Sequence, residues 1–146
     1  MEHTIKYYPV GNADCTLIKL DNGMTIIVDC QILSDLTDGN GKQINYDVKA
    51  DLLKEDTSGR PYVDLFISTH PHDDHCKGFE DNFYHGKIND YDKDKNKNEI
   101  IIEELWITPR GLKNNLADTA VAVRKEAKRR KELYDDNPDF KGSRGN

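Results

Sequence analysis

The sequence is poor in cysteine, with three residues in 146, and it contains no CxxC pair. An odd number at wide spacing (Cys15, Cys30 and Cys76) indicates neither a disulfide framework nor a thiolate zinc site. Long apolar runs are also lacking, since none approaches the length needed to cross a bilayer. The residues after Met1 have no basic and apolar regions of the signal-peptide kind. These absences predict a cytoplasmic protein in a reducing compartment, without membrane association.

A large excess of one charge is missing too. The chain has 21 Lys and Arg against 27 Asp and Glu, a formal net charge of −6. This balance gives no reason to expect tight nucleic-acid binding by bulk electrostatics. Hydrophobic residues make up 36% and charged residues 33%, which is polar for a globular domain but far from a disordered composition. We therefore expect one folded domain with a core of its own.

Short β-type segments dominate the start of the chain. Residues 4–30 contain three such segments separated by turn residues, which predicts a β-meander. Its last segment, Met24–Asp29, is almost continuously apolar, as is typical of a strand covered on both faces. The pattern then predicts a helix at Val48–Lys54, strands at Val63–Ser68 and 100–108, and a helix at 115–134. This order of elements predicts a layered α/β architecture.

Three of the five histidines lie in one hexapeptide, His70-Pro71-His72-Asp73-Asp74-His75, directly after a predicted buried strand. Imidazole and carboxylate groups suit zinc, with manganese or iron as alternatives where carboxylates contribute. His70 and His72 can turn towards one ion across a bend, whereas the adjacent Asp74 and His75 must point towards a second position. The hexapeptide therefore predicts a site for two metal ions, with zinc as the first choice.

The hexapeptide matches the pattern HxHxDH, and the chain thereby resembles the metallo-β-lactamase superfamily of metal-dependent hydrolases. Residues 10–18 and Ile26–Asp29 are similar to the opening of its ComEC-like branch, and the resemblance runs from residue 4 to about residue 110. It implies that the chain supplies the N-terminal half of a four-layer αββα sandwich. It also implies a hydrolase, with phosphodiesterase or nuclease-like activity as the first choice and ester, thioester or lactam hydrolysis as the alternative.

The resemblance assigns roles to individual residues. His70 and His72 would hold the first ion, and Asp74 and His75 the second. Asp74 would also be catalytic, because it orients the attacking water. Asp29, at the end of its strand, matches the aspartate that supports the metal-binding loop from outside the ligand set.

The family completes its site with a further histidine, a metal-bridging aspartate and a final histidine, but only His85 follows His75 in this sequence. Three explanations remain open. The chain is a fragment, with a plausible cleavage point at 142–146; or it is part of a split hydrolase; or it is a degenerate half-domain that acts as a binding or assembly module. The expected partner is accordingly the missing C-terminal half or a second chain that completes the site.

The predicted last helix has a strongly basic second half. Residues 124–131 contain six Lys or Arg against one Glu. A solvated helix face is the simpler interpretation of such a run. The functional alternative is contact with nucleic acid or another phosphodiester substrate, which fits a nuclease-like function.

Overall fold

The computed structural model describes residues 2–55, 59–114 and 116–136. These residues form a five-stranded mixed sheet and four α-helices, so the predicted α/β class is confirmed. The strands are β1 (Thr4–Tyr7), β2 (Thr16–Lys19), β3 (Thr25–Val28), the two-residue β4 (Cys30–Gln31), β5 (Tyr62–Ser68) and β6 (Ile101–Ile107). The α-helices are α1 (Val48–Leu52), α2 (Asp73–Cys76), α3 (Phe79–Asn82) and α4 (Asp118–Asp136).

The sheet has the strand order β1-β2-β3-β5-β6. The first three strands are antiparallel, while β3 pairs with β5, and β5 with β6, in parallel. Parallel neighbours need a crossover, and the segment that contains α1 provides it between β3 and β5. The carboxyl ends of β3 and β5 therefore lie at the same edge of the sheet. They bring Asp29 and the loop that begins at His70 to that edge.

One face of the sheet carries the core. The register partners Leu17, Ile27 and Phe66 point to this face and are buried. The Phe66 ring meets Phe79 and Phe83 edge-on, with ring centroids 5.1 and 5.2 Å apart. Such aromatic contacts add to the apolar area that leaves water. They fix α3 on the sheet close to the hexapeptide.

The first helix covers the β1–β2 end of the same face. Its buried residues Val48 and Leu52 belong to the core. Two ion pairs lie above them: Lys6 with Asp51, and Lys19 with Glu55 at 2.5 Å. Because exposed ion pairs contribute little to stability, burial of the apolar side chains is what holds α1 in place.

The opposite face, which we call the outer face, is apolar; it is exposed at its β1 and β6 edges and half-buried or buried between them. Side chains alternate along a strand. The two rows of register partners on either side of Leu17, Ile27 and Phe66 therefore point to this face. The rows are Ile5, Ile18, Ile26, Leu65, Glu104 and Tyr7, Thr16, Val28, Ile67, Trp106. The sequence predicts β3 to be covered on both faces, but Ile26 and Val28 are only half-buried. An apolar strand does not tell which of its faces has a neighbour.

The last helix differs from its predicted bounds of 115–134. It begins at Asp118 and ends at Asp136, and Asn115 lies outside the described residues. An acidic residue in the first turn suits the positive end of the helix dipole, whereas asparagine is a weak helix former. The predicted loop at 142–146 also lies outside the described residues. Among the residues that are described, no helix is both long and apolar enough to cross a membrane.

Candidate metal centre

Asp29 lies where β3 ends and β4 begins, and it has a positive φ of 54°. Few residues other than glycine accept this conformation, and aspartate is one of them. The Asp29 N–H donates to the carbonyl of Ile67 at 2.8 Å, which anchors the kink to β5. Immediately afterwards β4 forms parallel bridges with Cys76 and Lys77. The carboxylate of Asp29 is thus held between the two ends of the hexapeptide.

Three donors hold the Asp29 carboxylate, which is only 2% exposed. The Thr69 N–H donates to Oδ1 at 2.8 Å, and the Thr69 hydroxyl donates to Oδ2 at 2.5 Å. His75 Nδ1 lies 2.8 Å from Oδ2. A buried carboxylate is costly without such donors, so this network accounts for the charge at this position. Asp29 therefore supports the loop from both ends.

The same network fixes the tautomers of two histidines. A carboxylate only accepts hydrogen bonds, so His75 must carry its proton on Nδ1, and the Nε2 lone pair is left available for a metal ion. The Thr69 hydroxyl gives its proton to Asp29 and therefore accepts from His70 Nδ1, which lies 3.1 Å away. His70 thus also keeps Nε2 available. Both imidazoles are prepared as ligands by one buried aspartate.

Two groups of potential ligand atoms converge around His70. Asp29, His70 and His75 form one group, and His70, His72 and Asp74 form the other; within each group all ligand atoms lie within 4.8 Å of one another. The His70 ring centroid lies 3.6 Å from that of His75 and 4.7 Å from that of His72. Nitrogen and carboxylate donors at such spacing fit a zinc-type divalent ion. The structure therefore brings together all four predicted ligands and Asp29.

Asp74 lies close to His75, with Oδ2 3.5 Å from His75 Nε2, and it also lies close to His70 and His72. The reason is α2, which begins at Asp73 within the hexapeptide. The His75 N–H donates to the carbonyl of His72 at 3.1 Å, and this tight turn brings Asp74 back towards the first two histidines. The four residues also differ in exposure to solvent: His75 is buried, His70 is half-buried, and His72 and Asp74 are exposed. One side of the site is closed and the other faces solvent.

The structure adds residues to which the sequence analysis gave no role. The Thr69 hydroxyl accepts the hydrogen bond from His70 Nδ1. In the sequence, only its position next to the motif points to this role. Asp14, from the turn after β1, donates its N–H to the Asp74 carbonyl at 3.2 Å, and its Oδ2 lies 3.7 Å from His75 Nδ1. The Thr119 hydroxyl donates to Asp73 at 2.6 Å and so links α4 to the loop.

Part of the basic helix serves an internal function. Glu126 is 2% exposed, and both Arg129 and Arg130 donate to its carboxylate at 2.7 Å. Burial would raise the pKa of Glu126, but hydrogen bonds from Arg129 and His85 and the charge of Arg130 lower it to about 2. Burial likewise lowers the pKa of His85, and the adjacent Glu126 outweighs this and raises it above its usual value. His85 is therefore part of an ion-pair cluster between α4 and the end of α3, where its Nδ1 lies 3.7 Å from Glu126.

Arg130 also donates to two main-chain carbonyls of β6, those of Ile102 and Glu103, at 2.8 Å each. It thereby fastens α4 to the edge of the sheet. Lys125 and Lys128, by contrast, have exposed side chains. The predicted contact with a phosphodiester remains a prediction, and these two lysines are the residues on which it depends.

Chemically, the site presents nitrogen and oxygen donors at one edge of a sheet, with a closed inner side and an open outer side. This arrangement can hold a divalent ion and admit a substrate from solvent. Comparisons with protein-family models, curated proteins and solved structures find no significant match to this chain.

Proposed function

We propose that this chain supplies the N-terminal half of a metal-dependent hydrolase of the metallo-β-lactamase type that cleaves phosphodiesters, and that the missing C-terminal half or a second chain completes the site. The observation that carries the proposal is the position of His70 in two groups of metal-ligand atoms. Imidazole and carboxylate donors that converge at a strand end suit divalent ions. A sheet with helices on one face and an apolar second face also suits one half of a four-layer αββα sandwich.

The residues have distinct tasks in this proposal. His70, His72, Asp74 and His75 hold two divalent ions, with zinc preferred. When bound, such ions polarise a phosphoryl oxygen and lower the pKa of water. Asp29 and Thr69 keep the two inner imidazoles in the ligand tautomer. Asp74, which is exposed, accepts a hydrogen bond from the attacking water and orients it.

A phosphodiester is the preferred substrate for two reasons. The resemblance to the ComEC-like branch indicates it, and the exposed Lys125 and Lys128 supply positive charge on α4. Thr119 at the start of α4 contacts Asp73 of the hexapeptide, so this helix leads away from the site itself.

Metal titration combined with a generic phosphodiester, bis-p-nitrophenyl phosphate, tests the proposal. We expect the unmodified protein to bind zinc, and to hydrolyse the ester in the presence of zinc or manganese when the missing C-terminal half or a second chain completes the site. His70→Ala and His72→Ala should each lower the zinc content, because both residues belong to a group of potential ligand atoms. His3→Ala is the matched control, since His3 is exposed at the start of the chain and should leave metal content and activity unchanged.

The outcomes separate the alternatives. Hydrolysis of ester, thioester or lactam substrates without phosphodiester cleavage would retain the metal centre and reject the substrate class. Zinc binding without any hydrolysis, even when the missing half is supplied, would point to a binding module. A protein that binds no metal would contradict the proposal as a whole.

A further inference from the structure

The carboxyl end of β6 lies at the same edge of the sheet as the candidate metal centre. Strands β5 and β6 are parallel, and Ser68 pairs with Ile107 in their register. The chain reaches His70 two residues after Ser68, and it reaches Arg110 three residues after Ile107. Neighbouring strands are about 4.8 Å apart, so the two segments begin side by side. In open α/β sheets, ligands bind outside the carboxyl ends of the parallel strands, which is where both segments lie.

A 3₁₀ helix at Pro109–Leu112, which we call the β6 turn, holds Arg110 at this edge. Gly111 is buried in the turn, and a Cβ atom at this position would lie only 2.7 Å from Ile107 Cδ1. A larger residue would have to displace the Ile107 side chain, so the glycine allows the turn to pack closely on the end of β6.

The last helix holds the β6 turn from its other side. Arg124 of α4 donates to the carbonyl of Lys113, the residue after the turn, at 2.7 Å. The same helix contacts the hexapeptide through the hydrogen bond from Thr119 to Asp73. The β6 turn and the metal-binding loop are therefore fixed to one common element. A side chain that is supported in this way can contribute to a precise binding site.

The Arg110 side chain is exposed and available for a ligand. Within residues 2–55, 59–114 and 116–136 it forms no hydrogen bond or ion pair, whereas Arg129 and Arg130 both bind Glu126. The chain as a whole carries a net charge of −6, which repels a polyanion. A phosphodiester substrate therefore needs a local cation beside the metal centre, and Arg110 is a cation at that edge.

We propose that Arg110 binds a phosphate group of the substrate, next to the phosphate that meets the metal ions. This inference rests on the proposed function and narrows its substrate to molecules with consecutive phosphodiesters. The potential ligand atoms of each metal group lie within 4.8 Å of one another, and the phosphate that is cleaved sits beside them. Arg110 belongs to the end of a neighbouring strand and so meets the adjacent phosphate. Its planar guanidinium can donate two parallel hydrogen bonds to that phosphate.

Calorimetric titration of the zinc-loaded protein tests the inference without any need for hydrolysis. The two probes are a thymidine dinucleotide, which has one phosphodiester, and a thymidine trinucleotide, which has two. We expect the unmodified protein to bind the trinucleotide about 10-fold more tightly, the effect of one added hydrogen-bonded contact with a charged group. Arg110→Gln should bind both probes with nearly the same affinity, and its zinc content should be unchanged. Arg110→Lys keeps the charge without the planar fork, so its preference should be intermediate.

Lys97→Gln is the matched control, since it removes one exposed cation from the segment before β6, at the opposite edge of the sheet. It should keep the full preference for the trinucleotide. If Arg110→Gln also keeps this preference, or if the unmodified protein binds both probes equally, the inference is wrong while the proposed function stands. If neither probe binds to the zinc-loaded protein, the phosphodiester class and the inference are both rejected.

Discussion

The hydroxyl of Thr69 connects His70 to Asp29, and its removal is a direct test of how the site is prepared. We expect Thr69→Val to weaken zinc binding by about 10- to 100-fold, the usual cost of losing a group that orients a metal ligand. Valine keeps the branched shape and the N–H that donates to Asp29 at 2.8 Å. It removes the donor at 2.5 Å from Asp29 and the acceptor at 3.1 Å from His70 Nδ1.

The size of the effect follows from these two contacts. A hydrogen bond to a charged group contributes roughly 1.5–3 kcal/mol, and every 1.4 kcal/mol is a factor of ten in affinity. In addition, His70 no longer has an acceptor that fixes its proton on Nδ1, so part of the population carries the proton on the nitrogen that should bind the ion.

Competition with a chromophoric zinc chelator at neutral pH measures the affinity without any need for activity. Thr69→Ser is the matched control, because it retains the hydroxyl and should stay within a few-fold of the unmodified protein. If valine binds zinc as tightly as threonine, the hydroxyl does not orient His70. If serine loses as much affinity as valine, the methyl group of Thr69 is needed as well, and the hydrogen bonds alone do not explain the effect.

Two further predictions concern α4. Glu126→Gln should lower the free energy of unfolding at neutral pH by about 3 kcal/mol, from the difference between the ordinary pKa of 4.5 and the folded value of about 2. The stabilisation from the ionised Glu126 is present above pH 4.5 and is lost as the pH falls towards 2. Denaturant titrations should therefore show a weaker dependence of the free energy of unfolding on pH in this window for the variant than for the unmodified protein. An unchanged pH dependence would reject the role of the charge. Replacing Lys125 and Lys128 with Glu should reduce the slope of log affinity against log salt concentration for single-stranded DNA, while metal binding stays intact. An unchanged slope would show that these two lysines of α4 do not contact the substrate.

The sequence predicts the local part of the site well and the long-range part poorly. The hexapeptide carries its ligand types and spacing within six residues, so its chemistry can be read directly. The role of Thr69 depends on Asp29, which lies 40 positions earlier and comes close only through the pairing of β3 with β5. The orientation of Asp74 likewise depends on a helical turn that begins inside the motif.

The basic helix shows a similar limit. A run of six cations suggests a solvated or phosphate-binding face, yet Arg129 and Arg130 bind Glu126 three and four positions earlier on the same helix. That spacing is a signal of an internal pair, but whether the pair is buried depends on what α4 packs against. The exposed face of β3 cannot be predicted for the same reason. The strand is apolar on both faces, so its sequence does not identify the face that has a neighbour.

The position of Asp29 also has a consequence for how the proposed metal site forms. The contacts of Asp29 with Thr69 and His75 span 40 and 46 residues, so they form only after a long loop has closed and β3 has found β5. An unfolded chain carries the same hexapeptide without this support and holds an ion less tightly. Metal binding at the proposed site would then be coupled to folding, and the ion would favour the native chain over the unfolded one. The candidate metal centre is a product of the finished sheet rather than its nucleus.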